Sequence, residues 1–122
     1  MKAEELMVGD YVRIKPSGML IRVAAVHRKK VAYHTCVSKL AWVRGDLLKP
    51  IPLTPEILEK NGWEKRPTGY VFYTDGKRYD NSLWYIFDSN TFVVNTAKFQ
   101  IKYVHQLQHA LRLCGIEKEI IV

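Results

Sequence analysis

Cysteine is scarce in this 122-residue chain: only Cys36 and Cys114 occur, far apart and outside any Cys-x-x-Cys spacing. That excludes a disulfide framework or a zinc knuckle, and both are expected to be reduced, buried thiols of a cytoplasmic protein. Long apolar runs are also lacking, since no window approaches the roughly 18 continuous apolar residues of a membrane helix. The first residues, Met1-Lys2-Ala3-Glu4-Glu5-Leu6, place two acids where a secretory signal needs a basic stretch and then an apolar run, so no export is expected. Neither Gly-x-Gly-x-x-Gly nor Gly-x-x-x-x-Gly-Lys-Ser/Thr occurs, which removes the usual signatures of nucleotide binding and hydrolysis. What remains is 48% apolar and 25% charged, enough to build a core and too hydrophobic for a disordered chain.

The charge is lopsided. Residues 1 to 53 hold ten Lys/Arg against four Asp/Glu, a surplus of +6, whereas the remainder holds nine against eight and contributes only +1. Aromatic residues run the other way, with Tyr11, Tyr33 and Trp42 in the first segment and the other eleven after residue 60. Between the two lies Lys49-Pro50-Ile51-Pro52-Leu53-Thr54-Pro55, whose three prolines cannot be helical and favour an extended connector. Two domains are therefore expected, 1–53 and 54–122.

The first reads as short strands. Val12 and Ile14 alternate with Tyr11, Arg13 and Lys15, the period of a half-buried strand, between the turn signals Gly9-Asp10 and Pro16-Ser17-Gly18. Met19 to Arg28 is a longer extended run, Arg28-Lys29-Lys30 breaks it, and Val31 to Cys36 resumes, which makes a hairpin with a basic tip. Leu40 to Arg44 supplies a fourth strand, Asp46-Leu47-Leu48 one helical turn, and Lys49 to Leu53 a last extended stretch. Five short strands in about 50 residues need protected edges, and a small closed barrel provides them.

The pattern Val8-Gly9-Asp10-Tyr11-Val12, then Ile21-Arg22-Val23, then Trp42-Val43-Arg44 with a turn before the last strand resembles an SH3-like barrel of the kind found in ribosomal, transcriptional and phage proteins. Over the whole chain, and especially in 51–62 and 103–111, the sequence resembles small proteins of unassigned function encoded by prophages and mobile elements of Bacteroides-type bacteria. That resemblance implies a setting rather than an activity.

The second segment reads as a sheet with helices. Thr54-Pro55 is a strong helix start and Asn61-Gly62 an equally good stop, so a helix over about 55–60 is expected. Runs at 63–66, 70–74, 83–87 and 91–95 are separated by Pro67-Thr68-Gly69, Asp75-Gly76 and Asp88-Ser89-Asn90, which predicts an antiparallel meander of three or four strands. From 101 to 114 the spacing changes to 3.6: Val104, Leu107, Leu111 and Cys114 form a stripe widened by Ala110, an amphipathic helix covering the meander. Glu119 to Val122 reads as a terminal strand. The fold class is α+β, an SH3-like small β-barrel followed by an antiparallel β-meander under one amphipathic helix.

Three chemistries remain to weigh. His105 and His109 stand four apart on a helix, the spacing of two metal ligands, but a zinc protease needs a glutamate general base where this chain has Gln106, and no third ligand follows nearby. A metal-dependent hydrolase using His105 and His109 is thus a remote alternative, and packed or surface histidines the plainer one. Cys36 near His34 lacks the orienting acid and nucleophile turn of a covalent catalyst. The basic segment is the stronger lead. Clustered on one side, Arg13, Lys15, Arg22, Arg28, Lys29, Lys30, Lys39 and Arg44 would attract phosphates, with Trp42, Tyr33 or Tyr11 available for stacking. Against it stands dispersal of the same charges, with the aromatics, Trp42 above all, packed in the core. The expectation is a non-enzymatic accessory protein without cofactor or membrane attachment, binding nucleic acid; the alternative is an adaptor for an acidic protein.

Overall fold

A computed structural model describes the chain except residues 36, 38, 74–81, 95–96 and 117–118. It is α+β, with antiparallel sheets and two α-helices, and divides into two compact units, Met1–Ile51 and Pro52–Val122.

The first unit opens with a 3-10 turn, Ala3–Glu5, followed by β1 (Tyr11–Ile14), β2 (Met19–Arg22), β3 (Ala25–His27), β4 (Lys30–His34) and β5 (Leu40–Arg44). A second 3-10 turn, Gly45–Leu47, leads into β6 (Leu48–Lys49). The strands pair as two sheets, β2-β1-β6 and β3-β4-β5. The run expected as one long strand is broken at Val23-Ala24. Val23 N donates to Asp10 O at 2.8 Å while Ala24 N donates to Ala32 O at 2.8 Å, so adjacent residues bond to different sheets. The pairings leave two open three-stranded sheets and no closed barrel among the described residues. β6, two residues long, pairs with β1 alone and offers no ladder along which closure could continue.

The period-2 pattern determines which face is dry. Val12, Ile21 and Leu48 of one sheet and Val31 and Val43 of the other are buried in one cluster with Ala3, Leu6 and Val23, against which Ile14, Val26 and Tyr33 pack. Each Val, Leu or Ile side chain among them contributes about 1.5–3 kcal/mol on full burial. The alternate residues of every strand must then face outward.

In the second unit the expected first helix appears as α1 (Pro55–Lys60), with Thr54 Oγ1 accepting from Ile57 N at 3.3 Å. Gly62 ends it at a φ of 86°, where glycine carries no Cβ penalty. Among the described residues the meander has five strands where three or four were expected: β7 (Glu64–Arg66), β8 (Gly69–Tyr73), β9 (Ser82–Ile86), β10 (Thr91–Val94) and β11 (Ala97–Gln100), hydrogen-bonded in sequence order. The Asp75-Gly76 turn lies outside the described residues. Register places Tyr70, Tyr85, Phe92 and Phe99 in one row across four strands. Beside that row, buried Trp63 packs against Phe72 and Phe92, with ring centroids 5.6 and 6.1 Å away.

α2 (Val104–Leu113) buries Val104, Leu107, Ala110 and Leu111 together with His105 and Gln108; Cys114, expected in the same stripe, follows its last turn half-buried. Glu119 to Val122 is not a strand. Ile121 instead exchanges two hydrogen bonds with the side chain of Asn61.

Candidate nucleic-acid interface

Since Val26, Val31 and Val43 of the β3-β4-β5 sheet face the core, their neighbours along each strand face the other way. Register arranges these outward residues in rows: His27, Lys30 and Arg44; then Ala25, Ala32 and Trp42; then His34 and Leu40. Trp42 is 50% exposed, contrary to the expectation of a packed indole. Its ring meets that of His27 edge to face, centroids 6.4 Å apart. The two residues belong to the outer strands of the sheet, with Ala32 of the middle strand between them, and Ala32 is 0% exposed. A methyl group at that position lets the rings meet across β4.

The cations of this unit occupy three environments. Arg28 and Lys29 form the exposed link between β3 and β4, Arg28 at a φ of 55°, and directly flank the His27–Lys30–Arg44 row. Four of the eight candidate cations, Arg28, Lys29, Lys30 and Arg44, thus gather at one end of one sheet. Lys39 lies at the opposite end of the β4–β5 hairpin, where Thr35 N donates to Lys39 O at 2.7 Å. Arg13, Lys15 and Arg22 belong to the other sheet's neighbourhood. Arg22 sits over the Tyr11 ring at 5.4 Å, and Arg13 Nη1 donates to Gly18 O at 3.0 Å.

The acids of the same unit are fewer and differently used. Asp10 is buried and accepts from Met7 N at 2.8 Å, so it organises the turn before β1 and adds no negative surface. Asp46 lies 3.4 Å from Arg44, with both side chains 66% exposed; such a pair contributes little to stability and leaves the guanidinium within reach of a ligand. A cleft of about 970 Å³ adjoins these groups, lined by Met1, Lys2, Glu4, Lys29, Lys30, Arg44 and Asp46 together with Ala3 and Gly45. Lys2 joins the cleft although it is not among the eight cations expected from the sequence. The 3-10 turn at Ala3–Glu5, which carries no periodic signal, is what brings it to the cleft.

The second unit has a smaller cleft, about 490 Å³, where α1 meets the β7–β8 hairpin. Its charges are Glu56, Glu59 and Asp88 against Lys65 and Arg66, and Tyr70 Oη donates to Glu59 Oε1 at 3.0 Å. Burial and that carboxylate push the Tyr70 phenol above its ordinary value. A cleft of this sign does not favour polyanions.

His105 and His109 are close, with ring centroids 5.7 Å apart, but His105 is buried and stacked on Tyr103. Gln106, at the place of a protease's general base, accepts from Lys102 N at 2.8 Å and Tyr103 N at 3.1 Å and so caps α2. Among the described residues no three His, Cys, Asp or Glu side chains gather around a common point. Cys36 lies outside the described residues, and His34 is exposed.

No protein-family model, curated protein or solved structure matches the chain. The described residues include no helix long and apolar enough to cross a membrane.

Proposed function

We propose that the protein is a non-enzymatic accessory factor that binds single-stranded nucleic acid on the outward face of its β3-β4-β5 sheet. The observation that carries this reading is Trp42, half-exposed on a sheet face whose neighbouring row is His27, Lys30 and Arg44. An exposed indole costs hydration and contributes nothing to the core. Beside cations, it is a platform on which a base can stack, an interaction worth roughly 1–3 kcal/mol per base. Lys30 and Arg44 hold the backbone while Trp42 takes a base, and preference for single strands follows because a paired base has no free face.

The SH3-like resemblance of the first unit is part of the same proposal. Two three-stranded sheets, a chain that passes from one to the other at Val23-Ala24, and a 3-10 turn before β6 support it. The meander is proposed as the platform on which α2 lies, on the strength of that helix's buried Val104, Leu107, Ala110 and Leu111. The resemblance to prophage and mobile-element proteins supplies the setting.

Fluorescence anisotropy with labelled single- and double-stranded oligonucleotides tests the reading. Three or four neutralised phosphates give a single-strand affinity that falls roughly 20- to 50-fold between about 50 and 200 mM salt. Trp42→Ala is expected to weaken single-strand binding by about tenfold or more, with Trp42→Phe in between. Absence of binding at the lower salt, or equal affinity for wild type and Trp42→Ala, removes the proposal. A protein partner retained after nuclease treatment, with no oligonucleotide binding, supports the adaptor reading.

A further inference from the structure

The proposed face ends abruptly. Lys30↔Arg44 is the last register pair of β4 and β5 and His27↔Lys30 the last of β3 and β4; beyond them the chain turns through Arg28-Lys29 and through Gly45–Leu47. Residues Met1 to Ala3 lie against Gly45 at that end. Gly45 N donates to Lys29 O at 2.9 Å, and a Cβ built on Gly45 would lie 2.8 Å from Ala3 N and 2.9 Å from Met1 O. A ligand strand running from Trp42 toward Arg44 covers about 7 Å, two residues of β rise, before it reaches the cleft of about 970 Å³.

The charge of that cleft is positive. Among its side chains Lys2, Lys29, Lys30 and Arg44 outnumber Glu4 and Asp46, and Met1 lines it as well. An internal phosphodiester brings one negative charge. A terminal phosphomonoester brings about 1.5 to 2 at neutral pH, and three acceptor oxygens instead of two. Both the end of the strand face at Lys30 and Arg44 and the positive surplus favour the second.

We propose that the cleft binds the terminal phosphate of a nucleic-acid strand whose end base stacks on Trp42, so that the protein recognises phosphorylated strand ends. This rests on the single-strand reading above and adds to it the identity of the group at the end of the face. Lys2 and Lys29, which line the cleft and lie outside the His27–Lys30–Arg44 row, provide the selectivity, while Lys30 and Arg44 serve both that row and the cleft.

The experiment compares labelled oligothymidylates of about eight nucleotides carrying a 5′-phosphate, a 3′-phosphate or neither. For the wild type, one of the two phosphorylated ends is expected to bind about tenfold tighter than the unphosphorylated strand. The Lys2→Ala/Lys29→Ala double variant is expected to lose that gain, so that its phosphorylated and unphosphorylated strands bind within about twofold of each other, whereas Trp42→Ala weakens all three strands. Equal wild-type affinity for all three strands, with Trp42 still required, overturns end recognition and leaves single-strand binding standing. A phosphate gain that persists in the double variant overturns the assignment to the cleft. Indifference of all three strands to Trp42→Ala overturns both.

Discussion

The side-chain amide of Asn61 is paired with the backbone of Ile121 as one strand pairs with another: Nδ2 donates to Ile121 O and Oδ1 accepts from Ile121 N, each at 2.7 Å. Asn61 is buried, closes α1 and also donates to Ile57 O at 2.7 Å, so one side chain fastens the end of the chain to a helix terminus sixty residues earlier. Ile120, the residue before Ile121, is buried. Asn61→Ala removes two well-formed hydrogen bonds to Ile121 and is expected to cost about 2–3 kcal/mol in denaturant unfolding. Carboxypeptidase digestion checks the mechanism: the last residues should be trimmed faster from the variant than from wild type, and equal rates would refute the clasp.

Gly69 is the second position where a single atom decides the outcome. A Cβ built there overlaps the Tyr85 carbonyl, a backbone group of β9 that cannot step aside without breaking the β8–β9 ladder. Gly69→Ala is expected to cost about 3 kcal/mol or more, the range of severe overpacking. Gly62→Ala, whose Cβ meets only the Phe72 ring at 3.5 Å, bears the left-handed backbone penalty of about 1 kcal/mol. Thermal denaturation of both variants gives the comparison, and a milder effect at Gly69 than at Gly62 contradicts it.

These two residues also show what could be read from the sequence. Thr54-Pro55 and Asn61-Gly62 located α1 because capping is local chemistry, and the 3.6 spacing located α2 for the same reason. The basic hairpin tip at Arg28-Lys29 followed from a break between apolar runs. Period-2 alternation set Val12 and Ile14 on the face opposite Arg13, and Val31 on the face opposite Ala32, and the first member of each contrast is the one that meets the core. What was not legible depends on distant partners. Trp42 alternates with Ala41 and Val43 whether its face is dry or wet, and only the identity of the facing core distinguishes the two. Lys2 reaches the cleft through a 3-10 turn that leaves no periodic trace, and Asn61 carries no local sign that its amide will replace a terminal strand. β2 and β3 looked continuous because the break at Val23-Ala24 lies in the hydrogen-bond partners, not in the residue types.

Tyr85 makes alkaline stability informative. Its hydroxyl donates to Ile101 O at 2.6 Å, and burial raises its pKa above the ordinary 10.0. The folded state therefore holds the proton more tightly than the unfolded chain does. Stability is intact below about pH 10 and declines as the pH rises through the raised value, because the unfolded chain ionises first. Tyr85→Phe should be less stable than wild type at pH 8, by about 1 kcal/mol for the lost hydrogen bond, with the gap narrowing between pH 10 and 11. Urea midpoints for both proteins across that interval check it; a gap that widens with pH reverses the sign and refutes the assignment.

Salt dependence separates the three groups of cations. Arg22 is held over Tyr11 and Arg13 by Gly18 O, on the sheet that lacks an exposed indole. Arg22→Ala is expected to cost about 0.5–1 kcal/mol of stability and to leave the slope of log affinity against log salt unchanged. Lys39→Ala, at the far end of the β4–β5 hairpin, should change neither. Lys30→Ala removes one phosphate contact, which for a single strand flattens the slope by about 0.7. Arg44→Ala goes further, because Asp46, 3.4 Å from the lost guanidinium, then meets the phosphate without a counter-charge. The expected order of affinity loss is Arg44, then Lys30, then Arg22 and Lys39 together. If Arg22→Ala flattens the slope as much as Lys30→Ala does, the ligand tracks both sheets, and the single face through Trp42 is the wrong footprint.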